Sequence, residues 1–438
     1  MSIKQSLIDR IHRREATVGI VGLGYVGLPL AVEFAEAGFH VIGVDVSPDK
    51  VEKVNQGISY IPDIPSDRLS PLVHEGKLTA TTRYADLQDA DTVNICVPTP
   101  LRKTKDPDMS YVISAVREVT EICHEGMLII LESTTYPGTT EEIIVPSLQT
   151  HGFEPGKNVF VAFSPERIDP GNRDFGVRNT PKVVGGVTPD CTEIAATLYE
   201  TAVDTVVCVS SPTAAEMVKL LENTFRAVNI GMVNEMALMC DKLGLDVWEV
   251  IEAAATKPFG FMPFFPGPGL GGHCIPVDPH YLSWKLKTLN YTARFIELAS
   301  EVNTAMPLYV MDKITSALND EAKAVRGSQV VVLGVAYKAD VDDVRESPAL
   351  DIISLLRSKG ANVVYHDPYV PLIYLEDRQE MSASPYDSDL LESADCVVII
   401  TNHSTYDWQH VLDHARLIVD TRHVTPGFTN GKSRVVPL

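Results

Sequence analysis

The feature that most constrains the fold is a glycine-rich turn near the start of the chain. Gly22-Leu23-Gly24-Tyr25-Val26-Gly27 follows the β-rich run Thr17–Val21 and precedes a stretch with helical patterning. Glycines at these three positions permit a tight turn and let the backbone approach a phosphate group, while the helix N-terminus supplies N–H donors. This order predicts a strand–turn–helix unit that binds a dinucleotide through Gly22, Gly24, Tyr25, Val26 and Gly27.

The second β-rich run identifies the kind of dinucleotide. His40–Asp45 ends in an acid 18 residues after Gly27. A carboxylate there can accept from both ribose hydroxyls and would repel a 2′-phosphate, which favours NAD over NADP. FAD uses a similar turn, but we find no further flavin motif. The alternative without a cofactor is a glycine-rich turn followed by a surface Asp.

Alternating patterns along the chain predict the fold class. In the first half, β-rich runs alternate with amphipathic stretches such as Leu28–Ala37 and Tyr111–Cys123, which predicts a mostly parallel, doubly wound sheet. The further strands predicted there are Thr92–Val97, Met127–Glu132, Val159–Phe163 and Pro181–Gly185. A second α/β segment starts near Gly327, and its predicted strands are Val330–Gly334, Asn362–Tyr365, Cys396–Thr401 and Leu417–Asp420.

The segment between the two α/β parts is predicted to be helical. Ser211-Pro212-Thr213 offers an N-cap and a first-turn proline, and Thr213 with Glu216 forms a T-x-x-E capping box. Helix is expected from there to Leu243, again after Asp246, and from Tyr281 to Met306. We therefore expect two Rossmann-like domains joined by a central helical domain with a long helix, divided as 1–210, 211–310 and 311–438.

Charge and cysteine content exclude several classes of protein. The 438 residues carry a formal net charge of −21 with a pI near 4.9, which disfavours general binding to nucleic acid or anionic membranes. Seven scattered cysteines without a C-x-x-C pair fit neither a disulfide framework nor a zinc site and favour the cytoplasm. The basic residues before Thr17, together with the apolar run that begins there, resemble a signal peptide. Four glycines and Pro29 interrupt that run, which argues against this interpretation.

A glycine- and proline-rich loop carries the most chemically suggestive cysteine. Cys274 lies in Gly267–Pro279, a stretch that can form neither a regular helix nor a central strand. A thiol in such a loop can attack a carbonyl carbon, whereas a lone cysteine is more often buried filler. His273 beside it is either a second chemical group or a residue that only lines the turn.

The long helix adds polar residues at helical spacing. Lys219 and Asn223 are four residues apart and share one face. A partly buried lysine can activate a hydroxyl or stabilise an oxyanion. The alternative is a solvated face with a Glu216–Lys219 pair.

Taken together, these motifs resemble the UDP-glucose/GDP-mannose dehydrogenase family, whose members oxidise a sugar-nucleotide alcohol twice to a uronic acid. The resemblance extends from about Val18 to about Thr425. It is carried by the glycine turn, Val97-Pro98-Thr99-Pro100, Glu132-Ser133-Thr134, Ser164-Pro165-Glu166-Arg167, Ala215-Glu216 with Lys219 and Asn223, Gly271-Gly272-His273-Cys274, Gly334-Val335-Ala336-Tyr337-Lys338 and Arg345-Glu346-Ser347.

The resemblance implies roles for individual residues. Cys274 matches the nucleophile, and Glu166 matches the acid/base of thioester turnover. The residues that match the water and C6-oxygen contacts are Lys219, Asn223 and Asp278, with Thr134 near the reacting centre. The implied cofactor contacts beyond the glycine turn are Asp45, Lys50, Thr99, Thr134 and Arg345. The implied substrate contacts are Glu166, Arg167, Lys219, Asn223, Phe265, Gly267, Gly271, Tyr337, Lys338 and Arg422. No metal site is expected.

Within the family, the chain looks most like enzymes that act on UDP-N-acetylglucosamine. The similar stretches are Leu131–Thr140, Lys257–Phe264 and Gly272–Pro279. UDP-N-acetylmannosamine enzymes share much of this pattern, so that epimer stays the alternative. UDP-glucose enzymes usually carry Lys before the loop Asp, where this chain has Val277. The resemblance also implies a homodimer or higher homo-oligomer and a product for surface polysaccharide such as O-antigen.

Two other classes stay open from the residues alone. A single-step hydroxyacid dehydrogenase has an NAD domain and a Lys-x-x-x-Asn helix but needs neither the loop cysteine nor the last domain. A non-catalytic NAD or nucleotide-sugar sensor would need the glycine turn but not Cys274, Lys219 and Asn223 together. The first-step base is also open between Lys219 and a water held by Asp278.

Overall fold

The chain folds as two compact units. The computed structural model describes residues 2–102, 106–169, 171–172, 174–375, 379–428 and 431–438. The first unit holds the residues up to Glu222 together with His280–Asn290, and the second holds Asn223–Pro279 and Tyr291–Leu438. Each unit contains one main β-sheet.

The sheet of the first unit has the strand order β3-β2-β1-β4-β5-β6-β7-β8. Its central strands are short and fully buried, because helices on either side leave no face to water. All pairs are parallel except β6 with β7, which is antiparallel. The strands are β1 Thr17–Val21, β2 His40–Val44, β3 Leu78–Thr81, β4 Thr92–Ile95, β5 Leu128–Leu131, β6 Phe160–Phe163, β7 Lys182–Gly186 and β8 Val206–Cys208. The predicted doubly wound sheet is thus confirmed, while β3, β8 and the antiparallel step were not predicted.

Helices of the first unit start where the sequence supplies caps. Ser47 and Thr188 accept from backbone N–H groups at the starts of their helices, and each is followed by Pro at the first turn. The helices are α1 Ile3–His12, α2 Gly27–Glu36, α3 Pro48–Asn55, α4 Ser66–His74, α5 Ser110–Glu121, α6 Val145–Thr150 and α7 Pro189–Tyr199, with a 3₁₀ turn Tyr84–Leu87 and a π-helical turn Thr140–Ile144 before α6. The apolar run that resembles a signal peptide forms the buried β1 and α2.

Helix α8, Pro212–Leu243, is the long helix expected from the sequence. Its start differs from the prediction. The Ser211 hydroxyl accepts from Ala214 N at 3.1 Å, as an N-cap does. The T-x-x-E capping box is wrong, because the buried Glu216 carboxylate accepts instead from Gly138 N at 2.5 Å and from Thr140 N at 2.9 Å. Burial raises the pKa of Glu216 to about 7.

Three more helices follow α8: α9 Val247–Ala255, α10 Asp278–Thr288 and α11 Arg294–Asp320. Asp246 caps α9 by accepting from Trp248 N. The single helix predicted from Tyr281 to Met306 is wrong, because α10 ends at Thr288 and α11 begins at Arg294. Asn290, with φ 58°, adopts the left-handed conformation that terminates helices.

The sheet of the second unit has the parallel order β10-β9-β13-β14-β15. Its strands are β9 Gln329–Leu333, β10 Asn362–His366, β13 Cys396–Ile399, β14 Leu417–Asp420 and β15 Arg434–Pro437, with a separate hairpin of β11 Leu372–Tyr374 and β12 Glu380–Ser382. The helices are α12 Pro348–Ser358, α13 Ser388–Glu392 and α14 Trp408–His414. This is the second Rossmann-like sheet that the sequence predicts.

The predicted domain boundaries stay predictions. The boundary after residue 210 lies two residues before α8, and the boundary after residue 310 falls inside α11. Among the described helices, none combines the length and apolar character that crossing a bilayer requires.

Candidate active site

In the glycine turn of the first unit, Gly22 and Gly27 are tightly packed, whereas Gly24 has open space beside it. Gly22 has φ +94°, and a Cβ on it would lie 2.6 Å from Cys96 O. A Cβ on Gly27 would lie 1.8 Å from Gly22 O, so both positions require glycine. Gly24 has nothing within 4 Å of its Cβ position. A phosphate group can therefore approach the backbone at Gly24 and meet the start of α2.

Asp45 lies directly after β2 and is oriented by two backbone donors. Its Oδ2 accepts from Leu23 N and its Oδ1 from Ser47 N, both at 2.9 Å. Lys50 Nζ lies 3.5 Å from Oδ2. Oδ1 accepts only one of these bonds and keeps a further lone pair, so the side chain can still accept from a ribose hydroxyl. This geometry fits the adenosine half of NAD. Tyr25 is exposed and Val26 half-buried in the same turn, and Thr99 is half-buried after β4.

Glu166 follows β6 and is 7% exposed. Its Oε1 accepts from Arg167 N at 2.6 Å and Ile168 N at 2.9 Å, and its Oε2 lies 3.2 Å from Lys182 Nζ. Burial acts to raise the pKa of Glu166, but Lys182, Lys219 and the two backbone donors outweigh it and lower the pKa. The side chain is therefore a carboxylate at neutral pH.

Lys219 lies on α8 beside the same segment. It is 7% exposed, and its ammonium group donates to the backbone carbonyl of Glu166. This contact fixes the lysine head group against the Ser164–Arg167 segment. Arg167 itself turns away, since its guanidinium pairs with Glu222 at 2.5 Å and donates to Pro181 O at 2.7 Å. Thr134 is half-buried, two residues after Glu132 at the end of β5.

The second unit holds the cysteine loop. Cys274 is partly exposed, and its carbonyl accepts from Val277 N at 3.1 Å and Asp278 N at 2.8 Å. These bonds form the turn that leads into α10, so the cysteine precedes a helix N-terminus by one turn. The positive end of a helix favours a thiolate over a thiol. The local structure thus suits a nucleophile.

Asn223 and Asp278 meet in the second unit. Asn223 Nδ2 donates to Asp278 Oδ2 at 2.6 Å, and the two residues are 7% and 3% exposed. The bond fixes the Asn223 amide against Asp278 Oδ2, so both side chains are held in a defined orientation. The two residues are 55 positions apart, and the sequence alone did not predict this pairing.

The backbone of the cysteine loop rests closely on its neighbours. A Cβ on Gly271 would lie 2.6 Å from Tyr337 Cβ, and Gly272 N donates to Arg345 O at 2.9 Å. A Cβ on Gly267 would lie 2.8 Å from Arg422 Nη1. The structure therefore brings four of the predicted substrate contacts together in two pairs along this loop, Gly267 with Arg422 and Gly271 with Tyr337.

Arg422 makes a further backbone contact, and the predicted residues of the second unit not yet described are Phe265, Lys338 and Arg345. Arg422 Nε donates to Ile400 O at 2.7 Å, and burial lowers the pKa of its guanidinium to about 10. Phe265, 47% exposed, stacks on Trp248 with ring centroids 5.4 Å apart. Lys338 is half-buried after β9. Arg345 is exposed and pairs with Asp343 at 2.6 Å, so its cofactor contact stays a prediction.

Two charged residues next to Glu166 were not predicted as site residues. Lys182, 4% exposed, lies 2.6 Å from Glu132 Oε2, and Glu132 is 1% exposed. A lysine at the first position of a strand is common, so the sequence around Lys182 did not indicate a role in the site. In the sequence, Glu132 stands out only as part of the motif Glu132-Ser133-Thr134.

Comparison with known families matches most of the chain to three domain models of one family. The family model of the UDP-glucose/GDP-mannose dehydrogenase NAD binding domain matches residues 16–203. The central-domain model of the same family matches residues 213–305. The model of its UDP binding domain matches residues 331–427.

Individual relatives are similar over nearly their whole length. A UDP-N-acetyl-D-mannosamine dehydrogenase of Pyrococcus horikoshii is 36% identical, covering 93% of this chain and 95% of the relative. A UDP-N-acetyl-D-glucosamine 6-dehydrogenase of Pseudomonas aeruginosa is 34% identical, covering 90% and 92%. A solved structure of the P. horikoshii UDP-D-ManNAc dehydrogenase superimposes with a TM-score of 0.87 at 34% identity, covering 96% and 99%. The chain therefore belongs to the UDP-glucose/GDP-mannose dehydrogenase family, and it is an NAD-dependent nucleotide-sugar dehydrogenase.

Proposed function

We propose that the protein oxidises the C6 hydroxyl of UDP-N-acetylglucosamine to the carboxylate, giving UDP-N-acetylglucosaminuronic acid. The observation that carries the proposal is Cys274 one turn before α10, whose first residue, Asp278, is hydrogen-bonded to Asn223. A single-step alcohol dehydrogenation needs no thiol, whereas oxidation to an acid needs a group that adds to an aldehyde.

Bound NAD supplies the hydride acceptor for both oxidations; the chain provides the proton transfers and the covalent step. The neutral amine form of Lys219, or a water held by Asp278, takes the C6 hydroxyl proton. The Cys274 sulfur then forms a C–S bond to the aldehyde carbon, and the resulting thiohemiacetal becomes a thioester on its own oxidation. Lys219 and Asn223 donate to the oxygen that carries negative charge at these stages.

Hydrolysis completes the reaction and regenerates the thiol. A water oxygen adds to the thioester carbonyl while Glu166 takes the water proton, and the C–S bond breaks as the thiolate leaves. Glu166 suits this role because it is already a carboxylate at neutral pH. The proposal requires Glu166 and Cys274 to act on the same carbon.

Sequence similarity supports an N-acetylhexosamine as the sugar, and the sequence motifs make two epimers the candidates. The stretches around Thr134, Phe259 and Cys274 resemble the UDP-N-acetylglucosamine branch, and one relative with that printed activity is 34% identical. The second candidate is UDP-N-acetylmannosamine, which is favoured by the 36% identical P. horikoshii relative. Val277 in place of Lys argues against UDP-glucose.

Initial rates with the two epimers test the substrate. We expect kcat/KM for UDP-N-acetylglucosamine to exceed that for UDP-N-acetylmannosamine by about 10-fold or more, since a site that hydrogen-bonds one C2 substituent discriminates against its epimer. UDP-glucose in the same assay is the control for the N-acetyl group. A higher kcat/KM for UDP-N-acetylmannosamine would reverse the assignment.

We further propose that two copies of the chain associate along α8. Five apolar side chains recur on it at spacings of three, four and seven residues, all exposed by 37–71%: Phe225, Met232, Met236, Met239 and Leu243. An exposed stripe at this spacing is the pattern of a helix that packs on another helix. A second copy of this chain would cover it symmetrically.

Replacing Met236 with Glu should weaken this association, because the substitution places a charge inside the apolar contact. We expect light scattering to report twice the 48.0 kDa of one chain for the wild type and a shift toward 48.0 kDa for Met236→Glu. Ile58→Glu, at a position 46% exposed in the first unit, is the matched control and should leave the mass unchanged. An unchanged mass in Met236→Glu would argue against this interface.

The cellular location and the use of the product are also proposed. A cytoplasmic location is proposed on the seven cysteines, all within the described chain, which form no disulfide. Delivery of the product to surface polysaccharide such as O-antigen is proposed on family resemblance alone.

A further inference from the structure

Glu166 belongs to a buried charge cluster whose other two members, Lys182 and Glu132, have no part in the reaction scheme. Lys182 Nζ lies 2.6 Å from Glu132 Oε2 and 3.2 Å from Glu166 Oε2, and all three residues are at most 7% exposed. Two buried carboxylates sharing one cation are costly, and such groups persist only when each is well satisfied.

Strand topology brings these three side chains together. Glu132 follows β5 and Glu166 follows β6, so both lie at the carboxyl edge of the sheet. Because β7 is antiparallel to β6, with Phe163 opposite Gly185, its first residue reaches that same edge. Continuing this register by three residues places Lys182 opposite Glu166. A parallel β7 would begin at the other end of the sheet.

Further donors fix Glu132 at one end of the cluster. Its Oε1 accepts from Asn94 Nδ2 at 2.9 Å and from the Tyr199 hydroxyl, and Asn94 Nδ2 also lies 2.9 Å from that hydroxyl. Burial acts to lower the pKa of Lys182, but Glu132 and Glu166 outweigh it and raise the pKa. Lys182 is thus a permanent cation anchored on Glu132.

We propose that Lys182, anchored by Glu132, is a positioning residue that holds Glu166 as an oriented carboxylate for hydrolysis of the thioester. This inference rests on the proposed function. Lys182 secures Oε2 while the Arg167 and Ile168 amides secure Oε1, so the carboxylate plane is fixed from both sides. Lys182 acts through Glu166, and the structure gives it no other role in the reaction.

Other titratable groups near Glu166 contribute to the pH dependence of kcat in the wild type and in every variant. Lys219 on α8 donates to the Glu166 carbonyl, and Cys96 after β4 faces the cluster as a neutral thiol because burial raises its pKa. Tyr199 on α7 stays neutral for the same reason. Elsewhere on α8, Glu216 titrates near neutral pH, because burial raises its pKa to about 7. The test therefore compares variants with one another.

Replacing Lys182 with Met leaves two buried carboxylates without their shared cation, so one of them takes up a proton. A base works in its deprotonated form, and hydrolysis then requires a higher pH. We expect kcat at pH 7 to fall about 100-fold, and the acid limb of the kcat profile to move up by about 1–3 pH units. Acid-quenched mass spectrometry should show the sugar-nucleotide acyl adduct on Cys274 accumulating at pH 7 and disappearing at higher pH.

Glu132→Gln should move the acid limb in the opposite direction, because Lys182 then pairs with Glu166 alone. Lys182→Arg keeps the cation and should keep the wild-type limb. The double variant Glu132→Gln with Lys182→Met removes both charges, so it should fold stably while retaining the hydrolysis defect. This variant separates a loss of stability from a loss of positioning.

The inference is wrong if the acid limb of the kcat profile does not move in Lys182→Met and no adduct accumulates on Cys274. It is also wrong if the limb moves in the same direction in Lys182→Met and in Glu132→Gln. If the wild type forms two NADH per sugar and either of these outcomes is observed, the inference fails but the proposed function stands. A wild type that forms one NADH per sugar, or none, overturns the proposed function and this inference with it.

Discussion

Replacing Cys274 with Ser is expected to abolish formation of the uronic acid while leaving binding of the sugar nucleotide intact. A hydroxyl adds to an aldehyde less readily than a thiolate does, and an ester formed on it would hydrolyse more slowly than a thioester. Because the nucleophile is lost, we expect uronate formation to fall by about 1,000-fold or more. Some oxidation of the alcohol to the aldehyde can survive, since that step needs no thiol. Product analysis by mass spectrometry measures both.

The exposed Cys208 on β8 provides the matched control. Cys208→Ser makes the same chemical change at a thiol outside the proposed site and should leave uronate formation unchanged. A wild-type yield of uronate from Cys274→Ser would remove the nucleophile from the mechanism, and the loop would then be a structural element.

Replacing Lys219 with Met is expected to have the second largest effect. Its ammonium group is buried, and in the proposed mechanism it stabilises the negative oxygen at C6. Removing one such donor from a water-excluded site typically costs about 3 kcal/mol, so we expect kcat to fall about 100- to 1,000-fold. KM should change less, because the charge on that oxygen develops mainly in the transition state.

Lys242, exposed in the last turn of the same helix, is the control for this substitution. Lys242→Met removes an equal charge from α8 and should leave kcat within about twofold, as surface substitutions usually do. A loss in Lys219→Met that appears entirely as a higher KM would assign Lys219 to ground-state binding. That result would contradict its proposed role in the transition state.

Local sequence patterns predicted the features of the structure that depend only on neighbouring residues. The glycine turn and Asp45 lie within 24 residues, and the structure places the Asp45 carboxylate against Leu23 N, inside that turn. The alternation of strands and helices likewise predicted both sheets. The start of α8 at Pro212 followed from Ser211, because capping involves only neighbouring residues.

Features that depend on distant partners could not be predicted in the same way. The Glu216 carboxylate accepts hydrogen bonds from Gly138 N and Thr140 N, so it does not complete a capping box. Lys182 reaches Glu166 only because β7 runs antiparallel to β6, and no spacing in the sequence shows the direction of a strand. The Asn223–Asp278 bond also joins residues 55 positions apart. Roles for such residues come from geometry or from family resemblance.

The amount of NADH formed from a limiting amount of UDP-N-acetylglucosamine, with NAD in excess, tests the central claim most directly. The proposed mechanism predicts two NADH per sugar nucleotide, with no free aldehyde remaining. One NADH per sugar would show a single-step dehydrogenase and contradict the role of Cys274. Binding without any NADH from either N-acetylhexosamine epimer would point instead to a nucleotide-sugar sensor and contradict the account.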